Sequence, residues 1–356
     1  MSYLNRTACL VLILSLLGIT AASAEKVTFE SLLKELTDLE RIAKVSQPAY
    51  ITKQASSYDR RSTDSSVLTE ENWFANGDRN QVLRVEDTPL GREHVLLDVE
   101  GPGALVRIWS ANPNDGGIVR IYLDQQPEPL FEMPLQVMLG GGTKPFLEPI
   151  AHMRASGWNS YLPIPYAKHC KVTVSSPDIY YHINYRVYAP GTEVKTLTPE
   201  ILEAGMPVVR ETAKTLAEPW DRALPNRDGL EKTPYEVTLA PGAGETLELT
   251  GPAAIREITC LAETMEPEKA LRGILLEIAF DGQAPSVVAP LGDFFATAPG
   301  PNPYRSLSSG VMDDHTLYSR WVMPFRNQAV LRVTNHTDSE VTLRGSVGTG
   351  AWSWDD

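Results

Sequence analysis

The sequence predicts a mainly β protein in which an N-terminal helix precedes two tandem jelly-roll β-sandwich domains joined by a helical linker. Three observations lead to this fold class: an internal repeat, short alternating segments bounded by turn residues, and two segments with helical periodicity. They divide the mature chain into residues 25–55 (helix and lead-in), 56–195 (first jelly roll), 196–232 (linker) and 233–356 (second jelly roll).

The first 24 residues have the pattern of a cleaved secretory signal peptide. Arg6 supplies positive charge, an apolar run over residues 8–19 follows, and small residues at 21–24 form an A-x-A cleavage site. The apolar run is short for a membrane span, although an uncleaved anchor is the alternative interpretation. We therefore expect a secreted or periplasmic protein with no membrane span after cleavage.

Charge and cysteine content narrow the function classes. The formal net charge of −13 argues against nucleic acid and anionic membrane surfaces as partners. Cys170 and Cys260 remain after cleavage, and they could pair in an oxidising compartment or stay as two buried thiols. The sequence contains no H-E-x-x-H, G-x-S-x-G or C-x-x-C motif, so we predict no metal and no cofactor.

An internal repeat organises most of the chain. The segment "GPGALVRIWS" is similar to "GPAAIREITC", and later blocks recur in the same order. The offset between copies is 150 residues from Gly101 to Gly251 and 157 residues from Asp124 to Asp281. Such constant spacing predicts a duplicated domain.

Each repeat is predicted to form a set of short β-strands. The segments "VRIYLD" and "LEIAFD" alternate apolar and polar residues, and each terminal Asp begins a turn. In the first copy, Val106 and Ile108 are predicted to share one buried strand face. Short strands joined by Gly/Pro turns favour an antiparallel sandwich or jelly roll over a parallel α/β sheet.

Two segments interrupt the β pattern. Residues 28–43 are predicted as one amphipathic helix with an apolar stripe that includes Leu36, Leu39 and Ile42. Residues 198–219 begin with a Thr N-cap and a Pro at the first helical position, and Pro207 is expected to kink this helix.

Candidate site residues lie mainly in the polar segment "SSYDRRSTDSSVLTEENWFANGDRNQ". This composition is typical of a carbohydrate-binding site, because aromatic rings stack on sugars and carboxylates, amides and arginines bind hydroxyl groups. The alternative is a polar surface loop anchored by one Trp. The substrate-binding candidates are Tyr58, Asp59, Arg60, Asn72, Trp73 and Asp293.

Other acidic positions have weaker functional interpretations. Asp293, before Phe294, is either a sugar-binding or acid/base carboxylate or a turn cap. Glu132 is a solvent-facing residue or a catalytic one. The "MDDH" loop at residues 312–315 is a solvated acidic loop or part of a metal site.

Five blocks resemble the signature blocks of glycoside hydrolase family 172: "SSYDRRS", "GPGALVRIW", "VRIYLD", "PSVVAPLGDFF" and "VMPFRNQAVLRV". The resemblance covers the chain from about Ser56 onward. It implies a double jelly-roll core, oligomeric assembly (often trimeric) and a retaining mechanism with two Glu residues. It also implies fructose- or arabinose-containing glycans as substrates.

The sequence departs from that family where catalysis is expected. A retaining glycosidase needs two carboxylates about 5 Å apart. The family carries them in blocks resembling G-E-G-E and G-T-G-T-E-D-Y, which this sequence lacks. In "GTGAW", Ala351 and Trp352 replace the Thr-Glu pair, and Gly292 stands where a Glu is needed in the Asp-Phe-Phe block. No catalytic residue can therefore be carried over.

Three functional hypotheses follow. The first is the non-catalytic part of a secreted family-172-like glycosidase, truncated at the end of its second jelly roll and inactive alone. The second is a stand-alone carbohydrate-binding or structural jelly-roll protein. The third is an enzyme that pairs Asp293 with Glu132 or Asp59. We expect a fructan- or arabinan-like carbohydrate partner and a homo-oligomer, with a trimer as the family resemblance implies.

Overall fold

The computed structural model describes residues 26–62, 64, 66, 69, 76–219 and 229–354. The predicted signal peptide at residues 1–24 lies outside the described residues, as do Asn72 and Trp73. The described chain forms two β-sandwiches, one from strands between residues 50 and 188 and one from strands between residues 231 and 350.

The strands of the first sandwich are β1 (Tyr50–Ser56), β2 (Arg84–Thr88), β3 (Gly91–Glu100), β4 (Gly103–Ser110), β5 (Ile118–Leu123), β6 (Phe131–Pro134), β7 (Ala151–Arg154), β8 (Gly157–Ser160), β9 (Ile164–Tyr166), β10 (His169–Val174) and β11 (Tyr181–Tyr188). One sheet has the order β1-β11-β4-β8-β7, with β9 also paired to β4, and the other has the order β2-β3-β10-β5-β6. β1 begins six residues before the predicted domain start at residue 56. Most of its residues face solvent, so the strand lacks the apolar alternation from which strands are predicted.

The strands of the second sandwich are β12 (Glu231–Leu239), β13 (Gly244–Thr250), β14 (Ala253–Glu263), β15 (Ile274–Phe280), β16 (Val287–Pro290), β17 (Tyr304–Arg305), β18 (Ser309–Val311), β19 (Leu317–Ser319), β20 (Met323–Phe325), β21 (Gln328–Asn335) and β22 (Val341–Gly350). One sheet has the order β12-β22-β14-β19-β18-β17, with β20 also paired to β14, and the other has the order β13-β21-β15-β16.

This strand order is that of a jelly roll in both copies. The first and last strands of each sandwich, β1 with β11 and β12 with β22, are neighbours in one sheet, whereas β3 with β10 and β13 with β21 are neighbours in the other sheet. The order β1-β11-β4-β8 faces β3-β10-β5-β6, and β12-β22-β14-β19 faces β13-β21-β15-β16. The chain thus crosses repeatedly between two antiparallel sheets, which confirms the predicted fold class of two tandem jelly rolls.

The two copies also share their turn contacts. Asp124 and Asp281 both have positive φ, and each accepts hydrogen bonds from the backbone N–H groups that open the next-to-last strand. Gly101 donates to the Lys168 carbonyl at 2.6 Å, and Gly251 donates to the Asn327 carbonyl at the same distance. The sequence repeat is therefore a repeat of three-dimensional contacts.

The predicted burial of Val106 on the same face as Ile108 is wrong. The pairing of β4 with β11 matches Arg107 with Asn184 and Leu105 with Tyr185, so Val106 is an extra, bulged residue. Leu105 and Ile108 both enter the core, whereas Val106 packs on the outside of the sheet.

The helices of the described residues lie outside or between the sheets. They are α1 (Phe29–Glu35), α2 (Leu135–Gly140), α3 (Pro199–Ala217), α4 (Pro267–Gly273), α5 (Leu291–Phe294) and two 3-10 helices (Glu40–Ala43 and Pro113–Gly116). α3 starts at the predicted Thr198 cap, and its buried face joins the first core. It continues through Pro207, which is exposed, and the expected kink there stays a prediction.

The single helix predicted over residues 28–43 is wrong in length. α1 begins with a Thr28–Ser31 capping box and ends at Glu35. Asp38 then accepts hydrogen bonds from the backbone N–H groups of Glu40 and Arg41, at 2.9 and 3.3 Å, which starts a separate turn. Ile42, predicted to lie on the buried stripe, is 55% exposed.

Each sandwich has its own hydrophobic core. Cys170 lies in the first core and Cys260 in the second, and both are free thiols. Burial raises the pKa of the Cys260 thiol to about 11, so this group is protonated at neutral pH. Among the described residues, no helix is both long and apolar enough to cross a lipid bilayer.

Candidate functional site

The loop after β1 brings three of the predicted site residues together. Asp59 is only 2% exposed and accepts hydrogen bonds from the Arg61 backbone N–H at 3.0 Å, the Arg61 guanidinium at 2.6 Å and the Gly77 N–H at 2.7 Å. The bond from the Arg61 side chain is the main reason that the pKa of Asp59 lies below its usual range. Asp59 is thus an ionised anchor that holds the two ends of the loop together.

Arg60 and Tyr58 form the exposed part of the same loop. The Arg60 guanidinium donates to the backbone carbonyls of Ser56 and Tyr58, at 2.9 and 2.8 Å. It lies 4.0 Å from the centroid of the Tyr58 ring, and that ring is 51% exposed. The backbone therefore positions an aromatic ring and a cation side by side at the surface.

A second pair of this kind lies beside the first. Arg79 forms an ion pair with Asp178 at 2.7 Å and lies 5.6 Å from the Tyr180 ring centroid. Two hydrogen bonds of 3.1 Å between Ser57 and Tyr181 join the loop after β1 to the start of β11, which brings the two pairs together.

A row of hydrogen-bonded amide and guanidinium side chains, which we call the ladder, lies on the outer face of the sheet that contains β1 and β11. Asn184 donates to Gln54 at 3.0 Å, and Arg107 donates to Asn184 at 3.4 Å and to Asn159 at 3.0 Å. These four side chains come from β1, β11, β4 and β8, which are neighbours in the sheet. The ladder thus crosses four strands of one sheet face.

Trp109 and His182 lie next to this ladder. Their ring centroids are 4.7 Å apart, and His182 pairs with Ser56, whose carbonyl binds Arg60. A Cβ atom at Gly157 would lie 2.6 Å from Trp109 Nε1, so only glycine gives the indole room there. Burial, with the charge of Arg107, lowers the pKa of His182, which favours a neutral imidazole at pH 7.

We name this continuous area the aromatic–amide surface. It consists of Gln54, Tyr58, Arg60, Arg79, Arg107, Trp109, Asn159, Tyr180, His182 and Asn184. Flat rings next to guanidinium and amide groups provide the apolar faces and the hydrogen bonds that a hydroxyl-rich ligand requires.

Sequence reasoning missed the part of this surface that lies on the strands. Arg107 and Trp109 lie on either side of the core residue Ile108 in "GALVRIW", for which the sequence predicts a strand and a family block but no ligand contact. An Arg and a Trp at alternate positions of one strand share a sheet face, and this was the available signal.

The remaining candidates lie elsewhere. Asp293 belongs to α5 of the second sandwich, and both of its carboxylate oxygens bind Arg272, at 2.8 and 2.7 Å. Asp313 binds Arg305 at 2.9 Å. No group of three His, Cys, Asp or Glu residues within the described ranges is placed to hold a metal ion.

The three carboxylates that could form a catalytic pair, those of Asp59, Glu132 and Asp293, each bind a different arginine. Glu132 binds Arg120 at 3.1 Å, Asp59 binds Arg61, and Asp293 binds Arg272. Each of these carboxylates is thus held by an arginine of its own rather than by another of the three.

Comparisons with known proteins give two family matches. Residues 48–205 match the GH172 first beta-sandwich domain, and residues 230–346 match a GH172 domain-like model. A comparison with curated proteins gives no match.

Among solved structures, the chain is similar to viral and seed proteins. For the major capsid protein P2 of bacteriophage PM2, the identity is 9%, the alignment covers 85% of this chain and 98% of that chain, and the TM-score is 0.21. For Sulfolobus turreted icosahedral virus, the corresponding values are 7%, 76%, 91% and 0.21. For procruciferin from Brassica napus they are 9%, 76%, 84% and 0.15. Because these TM-scores are low, the fold assignment rests on the strand order.

Proposed function

This chain belongs to the GH172 family, and on that premise we propose that it binds fructose- or arabinose-containing glycans outside the cell without hydrolysing them on its own. The family relationship makes it a glycoside-hydrolase-related protein. The aromatic–amide surface is the proposed glycan site.

One observation carries the binding proposal: two exposed tyrosine–arginine pairs adjoin a polar ladder on a sheet face. Tyr58 with Arg60 and Tyr180 with Arg79 lie at the end of the sandwich, and the ladder begins beside them. Most polar groups of this surface already have protein partners, so the side chains are held in position before a ligand binds. Such preorganisation reduces the ordering cost of binding.

The proposed lack of hydrolysis rests on the absence of the G-E-G-E and G-T-G-T-E-D-Y blocks from the sequence, and position 292 supports it. A Cβ atom at Gly292 would lie 2.6 Å from the Thr297 carbonyl oxygen and 3.1 Å from Leu271 Cβ. A glutamate there, as the family pattern requires, would collide with backbone. The neighbouring Asp293 is bound on both oxygens by Arg272, which favours a structural role for this carboxylate.

The binding proposal is tested by affinity electrophoresis in gels containing levan, inulin or arabinan, with dextran as the control polymer. Trp109→Ala and Tyr58→Ala should each weaken retention, by about threefold to tenfold, because each removes one stacking ring. Trp321→Ala, at an exposed tryptophan of the second sandwich, should leave retention unchanged.

Two results would overturn the proposal. Equal migration in all gels would exclude glycan binding. Release of fructose or arabinose by the purified chain would show that the chain hydrolyses glycans on its own, but it would not contradict the proposed binding site.

Assembly is a further part of the proposal. By family resemblance we expect a homo-oligomer, a trimer in particular. Light scattering coupled to size-exclusion chromatography gives the mass directly, and a monomeric mass would contradict this expectation.

A further inference from the structure

A second cavity lies at the opposite end of β1 and β11 from the aromatic–amide surface. It is enclosed by α1, by the segment of residues 36–48 and by the first residue of β1 and the last residues of β11. Its volume is about 540 Å³, within the range of small-molecule sites. We call it the N-terminal pocket.

Two guanidinium groups in this pocket share one carboxylate oxygen. Glu35 Oε2 lies 2.9 Å from Arg41 Nε and 2.7 Å from Arg186 Nη1. Within the described residues, Glu35 is the only carboxylate that forms an ion pair with either arginine. Within ion-pair distance, one carboxylate therefore serves two guanidinium groups.

Aromatic groups hold both guanidiniums in position. Arg41 Nη2 donates to the Tyr50 hydroxyl at 2.6 Å, and the Arg186 guanidinium lies 4.3 Å from the Tyr50 ring centroid. The Arg186 side chain is only 13% exposed. Burial alone would raise the pKa of Tyr50, but hydrogen bonds from Ser46 and Arg41 and the two arginine charges lower it.

Within the described residues, the other charged side chains of the pocket form no ion pair with these two arginines. Lys26 is paired with Glu193, and Lys44 lies 3.7 Å from Glu40. Lys34 adds one positive charge, and Glu30 and Asp38 add two negative charges. Arg41 and Arg186 are therefore two guanidinium groups that share one ion-paired carboxylate, in a chain whose formal net charge is −13.

We propose that the N-terminal pocket binds a small molecule bearing an oxyanion, either a carboxylate or a phosphate, between Arg41 and Arg186. A partly buried guanidinium that shares its ion-paired carboxylate with a second arginine gains from a further anion, because charge-assisted hydrogen bonds are about twice as strong as neutral ones. The planar donor fork of arginine fits both carboxylate and phosphate. A neutral sugar would offer neither arginine a charged partner, so this ligand class differs from that of the aromatic–amide surface.

The test is isothermal titration of the purified chain at constant ionic strength with glucuronate, inorganic phosphate or neutral glucose as the probe. Glucuronate, phosphate or both should bind, and glucose should not. The oxyanion that binds shows whether the pocket recognises a carboxylate or a phosphate.

Matched variants distinguish a binding role from a structural one. Arg41→Gln removes one of the two guanidinium groups and should weaken oxyanion binding by about tenfold or more. Glu35→Gln removes the carboxylate that competes for both arginines and should tighten binding by about threefold or more, a gain that a merely damaged pocket would not show. Arg344→Gln, at an exposed ion pair of the second sandwich, should leave binding unchanged.

Three results would overturn the proposal. They are unchanged oxyanion binding in Arg41→Gln, weaker binding in Glu35→Gln, and no binding of either oxyanion to the folded chain. Arg41 is more exposed than Arg186, so its replacement is the variant that should leave the fold intact.

Discussion

At the scale of single residues, Asp59 orders the loop that carries the exposed Tyr58–Arg60 pair. Its carboxylate binds Arg61, two residues away, and Gly77, eighteen residues away. A Cβ atom at Gly77 would lie 2.8 Å from Asp59 Oδ2, so a glycine allows this close approach. One buried carboxylate thus closes a long, polar loop.

Replacement of Asp59 by Asn should loosen this loop. The amide keeps the shape but loses the charge that Arg61 and the Gly77 N–H bind, so trypsin should cut after Arg60 and Arg61 several times faster. Timed digestion at pH 8 followed by mass spectrometry measures the cleavage rate. Asp64→Asn, at an exposed aspartate that binds Ser66, is the matched control. Equal cleavage rates in the wild type and Asp59→Asn would show that the anchor is unimportant.

At this same scale, three of the residues that sequence chemistry predicts as a binding site lie together. The structure places Tyr58, Asp59 and Arg60 next to one another after β1, and their role in binding stays a prediction. Their roles differ, because Asp59 is buried whereas Tyr58 is exposed. Residue type does not specify burial, which depends on groups that are distant along the chain.

At the scale of elements, the packing of α3 on α1 depends on one glycine. A Cβ atom at Gly205 would lie 2.7 Å from Phe29 Cδ1, and Phe29 is fully buried. Gly205 therefore allows α1 to approach α3 closely above the first core. The helical periodicity of both segments was visible in the sequence, but this contact was not.

The Gly205→Ala variant should lower the free energy of unfolding by about 1 kcal/mol. Overpacking against Phe29 costs about 1–3 kcal/mol, and the better helix propensity of alanine offsets about 1 kcal/mol of that. Urea denaturation measures the difference. The Phe29→Leu background should remove most of the effect, since the smaller side chain gives the new methyl group room. A stabilised Gly205→Ala variant would mean that helix propensity outweighs packing.

The bulge in β4 shows why strand faces were only partly predictable. A strict alternation places Val106 with Ile108, but the extra residue moves Leu105 into the core and Arg107 onto the outer face. The second copy has a register shift at the corresponding place, next to Arg256. Pairing register depends on the neighbouring strand, so alternation within one strand cannot specify it.

At the scale of the whole molecule, Arg256 connects the N-terminal segment with the second sandwich. Its guanidinium binds Glu40 of the 3-10 helix and donates to the Ala351 carbonyl at 2.8 Å. It also lies 5.8 Å from the Trp352 ring centroid, and Lys44 lies 5.1 Å from the same centroid. Residues 351–354 thus continue from the end of β22 onto a surface shared by the N-terminal segment and the second jelly roll.

The Arg256→Gln variant should weaken this connection. Loss of an ion pair with a nearly buried arginine should increase backbone hydrogen exchange at residues 40–44 by about tenfold, while the two sandwich cores stay protected. Hydrogen-exchange mass spectrometry at pH 7 measures both regions in one experiment. Arg344→Gln is the control, because exposed ion pairs contribute little. Unchanged exchange at residues 40–44 would show that other contacts hold the segment.

The sequence by itself determined the fold class, the duplication and the family, because each depends on local patterns: alternation, turn residues and recurring blocks. Tertiary structure decided which side chains meet. Glu35 joins Arg186 across 151 positions because the end of α1 lies against β11, and Arg107 joins Asn159 across 52 positions because β4 pairs with β8 in one register. Hydrophobic periodicity is a property of residues that are close in the sequence. A binding site consists of residues that are far apart in the sequence and that strand register, bulges and close packing bring together.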